Sequence, residues 1–587
     1  MKDLFKLQLR SYTVLRQNLN KFIGYQLITG SVLMLILLPG FRLVFNLLMK
    51  SSGMSYITNG LLKKFLISPQ GIILALFSLI IGYLVVMIQL GGQIVLSHQV
   101  IVTKEENRYI DILIYTFKRL KYMFGLDGVI IVFYFVLLAP LFDSNIQASL
   151  LGDIEIPGFI MQVIESNILY SSLLILFVSV MVYFIIRWIF ALHVLLLDMD
   201  IDKRFLKRSN LIRKSHGKTL FTFLITDILL GLLILIVITL TVILISFVIL
   251  LIPGLSETTQ IMLIFSLAMT IFLGLSVISV PLSVIQLTLL YHKLTGNEER
   301  LNIKVHQNKS LLNKFLSNKF VISLTLLIVL SLSFSYMYYF MEVLDYTKYS
   351  VGITAHRGSS FEAPENTLVS IEKAIQNGAS HVEIDVQMTG DHHIILLHDE
   401  TFERTSNDER RPDQMTLHEV KTLEAGAWFD EEFAGEPVPT LQEVIDFTRG
   451  KIILNIEIKG SKYSPDIHQV LVNLLEKNKL SQGCVVTSLE YDDLLTIESL
   501  KTEIKTGYIM FVALGNLEDL QVDFYSVEAS NVSEDFVSRA HSLGREVHVW
   551  TINEIEDMEE MLEFGVDNII TDYDYELYKL INHKTSN

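Results

Sequence analysis

The sequence predicts a multi-span α-helical membrane domain, residues 1–347, followed by an α/β domain, residues 348–587, folded as a (β/α)8 TIM barrel. Three observations carry this prediction. First, 51% of the 587 residues are hydrophobic and the mean hydropathy is +0.44, well into the range of membrane proteins. Second, charge divides the chain near residue 347. Residues 1–347 hold 28 Lys+Arg against 18 Asp+Glu, whereas residues 348–587 hold 19 against 45, so a half of net charge +10 adjoins one of −26. Third, beyond residue 350 short apolar runs alternate with amphipathic helical patterns, the signature of repeated β-α units.

A bilayer core needs about 20 apolar residues as helix. Seven stretches meet this: about 22–48, 70–96, 123–142, 168–197, 219–252, 260–292 and 320–343. Lys and Arg are retained on the cytoplasmic side. The N-terminal tail and the loops 97–122, 198–218 and 293–319 carry 23 such residues, while the alternate loops 49–69, 143–167 and 253–259 carry 3. The chain is therefore expected in the cell membrane as a multi-pass protein, its N-terminus cytoplasmic and, after seven spans, its C-terminal domain extracellular. Inside the spans, Arg187 and Asp227 either pair or, for the arginine, snorkel, unless they serve a function. Gly91-Gly92 implies close helix packing. Residues 1–21 are polar and basic, unlike a cleavable signal peptide.

Other classes are excluded by composition. The acidic half would repel phosphates, so no nucleic-acid partner is expected. A single cysteine, Cys484, can form neither an intrachain disulfide nor a cysteine-based zinc site. Nothing points to an obligate protein partner; membrane lipids are the expected surroundings of the first half.

Residues 344–350 read as a short polar linker. Strand-like runs follow at 351–355, 381–387, 393–398, 452–458, 484–488, 506–510, 524–528, 546–551 and 567–571, with helical patterns at 366–377, 440–449, 465–479, 491–500, 532–543 and 554–564 between most of them. Four of these helices end at Gly378, Gly450, Gly544 and Gly565, as helices commonly do. Nine strands exceed a simple barrel by one. The runs 381–388 and 393–398 are only a turn apart, too close for a parallel crossover, and so predict a hairpin. Centred on Gly390-Asp391, that hairpin would set Glu383 opposite His398. The stretch 400–440 reads as an insertion near the barrel mouth.

Barrel enzymes carry their chemistry at the C-terminal ends of strands. There the sequence has His356-Arg357-Gly358, Glu383-Ile384-Asp385, His398-Asp399, Glu457-Ile458-Lys459 and His548-Val549-Trp550. Polar groups in buried strands are costly without a task. Glu383 and Asp385, two apart, share one strand face. With Glu457 they form an all-oxygen set suited to a hard divalent cation, Ca²⁺ or Mg²⁺.

These motifs, with Pro364-Glu365-Asn366-Thr367 and in this order over 351–575, resemble the glycerophosphodiester phosphodiesterase family, and residues 1–347 resemble the membrane domain fused to such enzymes in some bacteria. The resemblance implies that His356 and His398 act as general acid and base, with Arg357 stabilising charge on phosphorus. It implies that Glu383, Asp385 and Glu457 hold the metal, that Lys459 adds positive charge and that Trp550 walls the substrate pocket. The glycerol 2-hydroxyl would attack phosphorus and water would open the cyclic phosphate, giving glycerol 3-phosphate and an alcohol. The substrate would be a glycerophosphodiester, a lysophospholipid or a glycerol-phosphate polymer of the envelope, cleaved at the membrane surface. Structural roles compete: Lys459 as a plain salt bridge, Trp550 as barrel core, Glu365 and Asn366 as helix caps, His392 and His393 as solvated turn residues. His381, His418 and His548 have no partner that the sequence names. A phosphoinositide-type phospholipase C shares the barrel and paired histidines but fits the Glu-x-Asp and Pro-Glu-Asn-Thr segments less well. A transporter with a barrel sensor is disfavoured by the intact polar set and by continuous spans.

Overall fold

In the computed structural model the described residues are 2–102, 108–122, 124–131, 161, 164, 167–198, 204–296, 331–332, 334–335, 351–501, 503–515 and 517–586. The chain forms two compact units. One comprises Met1–Phe45, Ile73–Ile156 and Val163–Glu342; the other comprises Asn46–Ile72, Pro157–Gln162 and Val343–Asn587.

Among the described residues, five helices are long and apolar enough to cross a membrane: Asp3–Ser51, Pro69–Val102, Ile168–Leu197, Gly217–Leu250 and Thr259–Thr295. The expected spans at 123–142 and 320–343 lie largely outside the described residues. Close packing at Gly91-Gly92 is present: a Cβ on Gly92 would lie 1.7 Å from the Tyr25 hydroxyl, which donates to the Ile88 carbonyl at 2.6 Å. Asp227 accepts from Gln286 at 2.8 Å, and Arg187 lies over the Phe184 ring.

The described residues of the second unit hold eleven strands. They are β1 (Tyr56–Ile57), β2 (Gly352–Ala355), β3 (His381–Met388), β4 (Ile394–Leu396), β5 (Ile453–Ile458), β6 (Cys484–Ser488), β7 (Lys505–Met510), β8 (Leu514–Gly515), β9 (Phe524–Glu528), β10 (Glu546–Trp550) and β11 (Asn568–Thr571). Eight are parallel and closed into a barrel in the order β2-β3-β5-β6-β7-β9-β10-β11, with β11 pairing back to β2. β4 is the antiparallel extra strand on β3. Valine, isoleucine and leucine of these strands, such as Val382, Ile384, Ile456, Val486 and Val549, pack against the surrounding helices in one core. A small core of Ile395, Leu397, Phe402, Met415, Val420, Ala425 and Val438 joins the segment 400–440 to the β4 hairpin.

The hairpin register differs from the expected one. Met388 faces Ile394 and Val386 faces Leu396, so the ladder carries Asp385 towards Leu397 and places no pair between Glu383 and His398. The loop has five residues, Thr389–His393, because His392 adopts a left-handed φ of 62° and the Thr389 hydroxyl accepts from His393 N–H. One extra residue in the turn shifts every facing pair by one.

Candidate active site

The mouth is assembled from strand ends. β2 runs into His356-Arg357-Gly358, where Arg357 has φ 57° and Gly358 φ 85°. Glycine is required there: a Cβ on Gly358 would lie 2.2 Å from Ser370 Oγ. This sharp turn lets the Arg357 N–H donate to Glu383 Oε2 at 2.9 Å on the neighbouring strand.

Ligand-type oxygens of Glu383, Asp385 and Glu457 lie within 4.8 Å of one another, all buried. Asp385 and Glu457 face each other across β3 and β5. Asp385 accepts from Asn366 Nδ2 at 2.8 Å, and Arg357 Nε lies 3.4 Å from its Oδ2. Lys459 Nζ sits 2.5 Å from Glu457 and 3.5 Å from Asp385. Glu383 Oε1 is buried and has no hydrogen-bond partner. Burial, with Asp385 beside it, pushes the Glu383 carboxyl up. Burial acts likewise on Asp385, but His398, Lys459 and Arg357 outweigh it and hold that carboxyl well below the usual range. An orphaned buried carboxylate oxygen beside two further carboxylates fits a hard divalent cation, which all-oxygen sets prefer.

Each candidate histidine is held at Nδ1 by a carboxylate. His356 Nδ1 lies 2.7 Å from Asp572 Oδ1, and Asp572 also accepts from Ser360 at 2.8 Å and from Asn553 at 2.7 Å. Burial opposes protonation of His356, but Asp572 prevails and raises its pKa. His398 Nδ1 lies 2.7 Å from Asp399 Oδ1. Nδ1–H donating to a carboxylate leaves Nε2 of each ring as the free base. Both rings are partly exposed, at 22% and 31%.

Arg404 joins the two sides of this arrangement. Its guanidinium donates to both oxygens of Glu365, at 2.7 and 2.8 Å, and to Asp399 at 2.7 Å, while Glu365 also accepts from Arg357 at 3.0 Å. Glu365 and Asn366 thus bond to Arg357, Arg404 and Asp385 at the mouth; the cap of helix Leu368–Asn377 is Thr367. The salt-bridge reading of Lys459 is realised, inside the acidic cluster. Trp550 stands half-buried at the mouth end of β10. His392 and His393 are exposed on their turn; His381 approaches Asn568, and His548 stacks on Phe524 and approaches Glu546. Asp572, Asn553, Ser360 and Arg404 were not singled out from the sequence. Asp572 directly follows β11, so the strand-end rule that marked His356 would have marked it too.

A closed eight-stranded barrel with buried carboxylates and carboxylate-held imidazoles at its mouth defines a hydrolase of the (β/α)8 class. Comparison with known proteins is more specific. Residues 356–574 match the model of the glycerophosphoryl diester phosphodiesterase family, and residues 9–344 match that of the membrane domain of glycerophosphoryl diester phosphodiesterase. A glycerophosphodiester phosphodiesterase of Caldanaerobacter subterraneus subsp. tengcongensis is 35% identical over 237 residues, 39% of this chain and 97% of that protein. One from Bacillus subtilis is 30% identical over 241 residues, 37% of this chain and 82% of that protein. The solved structure of an Oleispira antarctica phosphodiesterase in complex with the product sn-glycerol-3-phosphate is 29% identical, covering 40% of this chain and 99% of that one, with a TM-score of 0.37. The chain belongs to the glycerophosphodiester phosphodiesterase family, as a multi-pass membrane member with a TIM-barrel catalytic domain.

Proposed function

We propose that this enzyme hydrolyses glycerophosphodiesters to glycerol 3-phosphate and an alcohol at the outer membrane surface, with a divalent cation held by Glu383, Asp385 and Glu457. The observation that carries the reading is the buried acidic cluster, with His356 and His398, each held at Nδ1 by a carboxylate, at the same barrel mouth. Ca²⁺ or Mg²⁺ suits the oxygen set and, when bound, would polarise phosphate oxygen and the glycerol hydroxyls.

The chain's own residues supply the rest. One of His356 and His398 takes the proton of the attacking glycerol 2-hydroxyl through Nε2, and the other gives a proton to the leaving alcohol. Their roles reverse when water opens the cyclic phosphate. Asp572 and Asp399 hold the tautomers and stabilise the imidazolium forms. Arg357 lies where its guanidinium can meet charge developing on phosphoryl oxygen. Lys459 neutralises Glu457 and Asp385 and adds positive charge at the mouth, and Trp550 walls the pocket. Lysophospholipids and glycerol-phosphate polymers are further candidate substrates, since a membrane anchor favours a lipid-like or surface-bound diester. The catalytic domain comprises 348–587 and the membrane domain 1–347, with the N-terminus cytoplasmic.

The test is glycerol 3-phosphate release by the purified full-length protein with Ca²⁺, with Mg²⁺ and with chelator, beside His356→Ala and Glu383→Ala. Cation-dependent release lost in both variants supports the reading. Release that survives either substitution, or that is indifferent to chelator, overturns it. Impermeant labelling of single cysteines placed in loops 49–69 and 198–218 of intact cells tests sidedness: only the first should react.

A further inference from the structure

The loop between the first two apolar helices folds with the barrel, not with the helices it joins. Within it, β1 pairs antiparallel with β8, Tyr56 facing Gly515 and Ile57 facing Leu514. Asn59 grips the end of β7 three times. Its Nδ2 donates to the Ile509 carbonyl at 2.8 Å, and its Oδ1 accepts from Phe511 N–H at 3.0 Å and Val512 N–H at 3.3 Å. The Tyr508 hydroxyl donates to Thr58 Oγ1 at 3.1 Å in a buried contact. Ile57 and Phe65 are each 1% exposed, and Tyr56 packs against the barrel core. Gly515 is shaped for this approach: a Cβ there would lie 2.6 Å from both Ser55 O and Met49 Cε.

Such an interface is more than an incidental contact. Three hydrogen bonds from one side chain replace pairing that the backbone after β7 would otherwise lack, and unpaired buried backbone groups are costly. The position matters as much as the strength. β7 is four strands from β2 in either direction round the closed barrel, so the loop that Asn59 holds lies across the mouth from His356 and Arg357. An alcohol leaving a diester whose phosphorus sits at the acidic cluster, on β3 and β5, reaches this loop if it extends across the mouth.

We propose that residues 46–72 form a latch that completes the rim of the catalytic mouth, with Asn59 as the residue positioning the loop Phe511–Gly515 against the leaving alcohol. The latch also requires loop 46–72 and the barrel to share one face of the membrane. The alcohol-facing role rests on the proposed phosphodiesterase reading; the latch itself does not.

Two measurements on the full chain separate these. The first needs no activity. Facing residues of an antiparallel pair are about 4.5–5.5 Å apart at Cα, within disulfide range. The pair Ile57→Cys and Leu514→Cys is combined with a protease site engineered between residues 344 and 350. After mild oxidation and cleavage, the double variant should run as one species that reductant splits, while each variant with only one of the two substitutions beside the buried Cys484 splits without reductant. Two fragments from the oxidised double variant would overturn the latch. The second compares the glycerol 3-phosphate diesters of methanol and octanol. Asn59→Ala should raise KM for the octyl diester about tenfold, the loss expected of a few weakened contacts, and leave kcat and the methyl KM nearly unchanged. Asn59→Asp keeps the acceptors for Phe511 and Val512 and should recover part of the octyl KM. Equal KM changes for both diesters, or none, would overturn the positioning role even where the cross-link forms. Failure of the phosphodiesterase reading shows differently, as absent release in the wild-type chain with the cross-link intact.

Discussion

Asp572 makes the most direct demand on the mechanism. Its Oδ1 lies 2.7 Å from His356 Nδ1, and its Oδ2 accepts from Asn553 at 2.7 Å, so the carboxylate is itself fixed in place. Replacing it by asparagine keeps the size and removes the charge. A hydrogen bond to a charged group contributes about 1.5–3 kcal/mol. If that stabilisation is realised when His356 carries its second proton, kcat falls by about 10- to 150-fold, at about 1.4 kcal/mol per factor of ten. Direction on the pH axis follows as well. Asp572 raises the His356 pKa against the opposing effect of burial, so Asp572→Asn must lower it. The limb of the pH–kcat profile that belongs to His356 then moves to lower pH. Steady-state release of glycerol 3-phosphate between pH 5 and 9, with bound-metal content measured alongside, checks both. A kcat within about twofold of wild type and an unmoved limb would refute the coupling of Asp572 to His356.

Arg404→Ala removes the bridge between Glu365 and Asp399, leaving both carboxylates near the mouth without their shared cation; kcat should fall about tenfold or more, while a His398→Ala, Arg404→Ala double variant should be scarcely worse than His398→Ala alone. Gly358→Ala places a Cβ 2.2 Å from Ser370 Oγ at φ 85°; thermal unfolding should show a loss of about 2 kcal/mol or more, and release should fall as Arg357 N–H leaves Glu383. His468 lies 2.9 Å from Asp493 and bridges helices Ile467–Lys477 and Tyr491–Leu500, and its hydrogen bond to Asp493 raises its pKa above the usual value. That contribution is full below the ordinary histidine pKa of about 6.5 and is lost as pH rises through the raised one. The stability gap between wild type and His468→Gln, about 1 kcal/mol at most and read from thermal unfolding, should therefore narrow from pH 5 to pH 8.

How much of this was legible in the sequence depends on the range of the interaction. The eight barrel strands were, because each is a short apolar run bounded by turn residues: 484–488 and 524–528 coincide with β6 and β9, and 381–387 falls one residue short of β3. The chemical groups of Glu383, Asp385, Glu457 and Lys459 were legible because charge in a buried strand is conspicuous. The hairpin register was not. It turned on one positive φ at His392, a choice made by local backbone energetics that periodicity does not record. β1 and β8 were invisible for another reason: two residues each, they have no periodicity of their own, and they exist only because residues 56 and 57 pair with residues 515 and 514 far along the chain. Loop 46–72 reads as a connection between spans, and its affinity for the barrel rim lies in single side chains such as Asn59. Asp572 was within reach of the strand-end rule, yet it lies in Thr-Asp-Tyr-Asp after the last strand, where an acidic residue is ordinary in a domain of net charge −26.

That acidity bears on how substrate can enter. Around the mouth stand Glu365, Glu383, Asp385, Asp399, Glu457 and Asp572, six carboxyl groups against the three cations Arg357, Arg404 and Lys459. Each cation is already shared: Arg357 between Glu365 and Asp385, Arg404 between Glu365 and Asp399, Lys459 between Glu457 and Asp385. A phosphodiester carries one negative charge, and carboxylates that outnumber the arginine and lysine cations oppose its entry, Glu383 adding to them once it ionises. A divalent cation held in the acidic cluster would offset most of that excess and leave Arg357 and Lys459 free to turn part of their charge towards phosphate. Cation and substrate anion should then bind with positive coupling, and coupling between two equilibria is reciprocal: whatever factor the cation adds to diester affinity, the diester adds to cation affinity. Glu383→Gln, which removes one carboxylate while keeping its shape, would reduce that factor and not merely the cation's own binding.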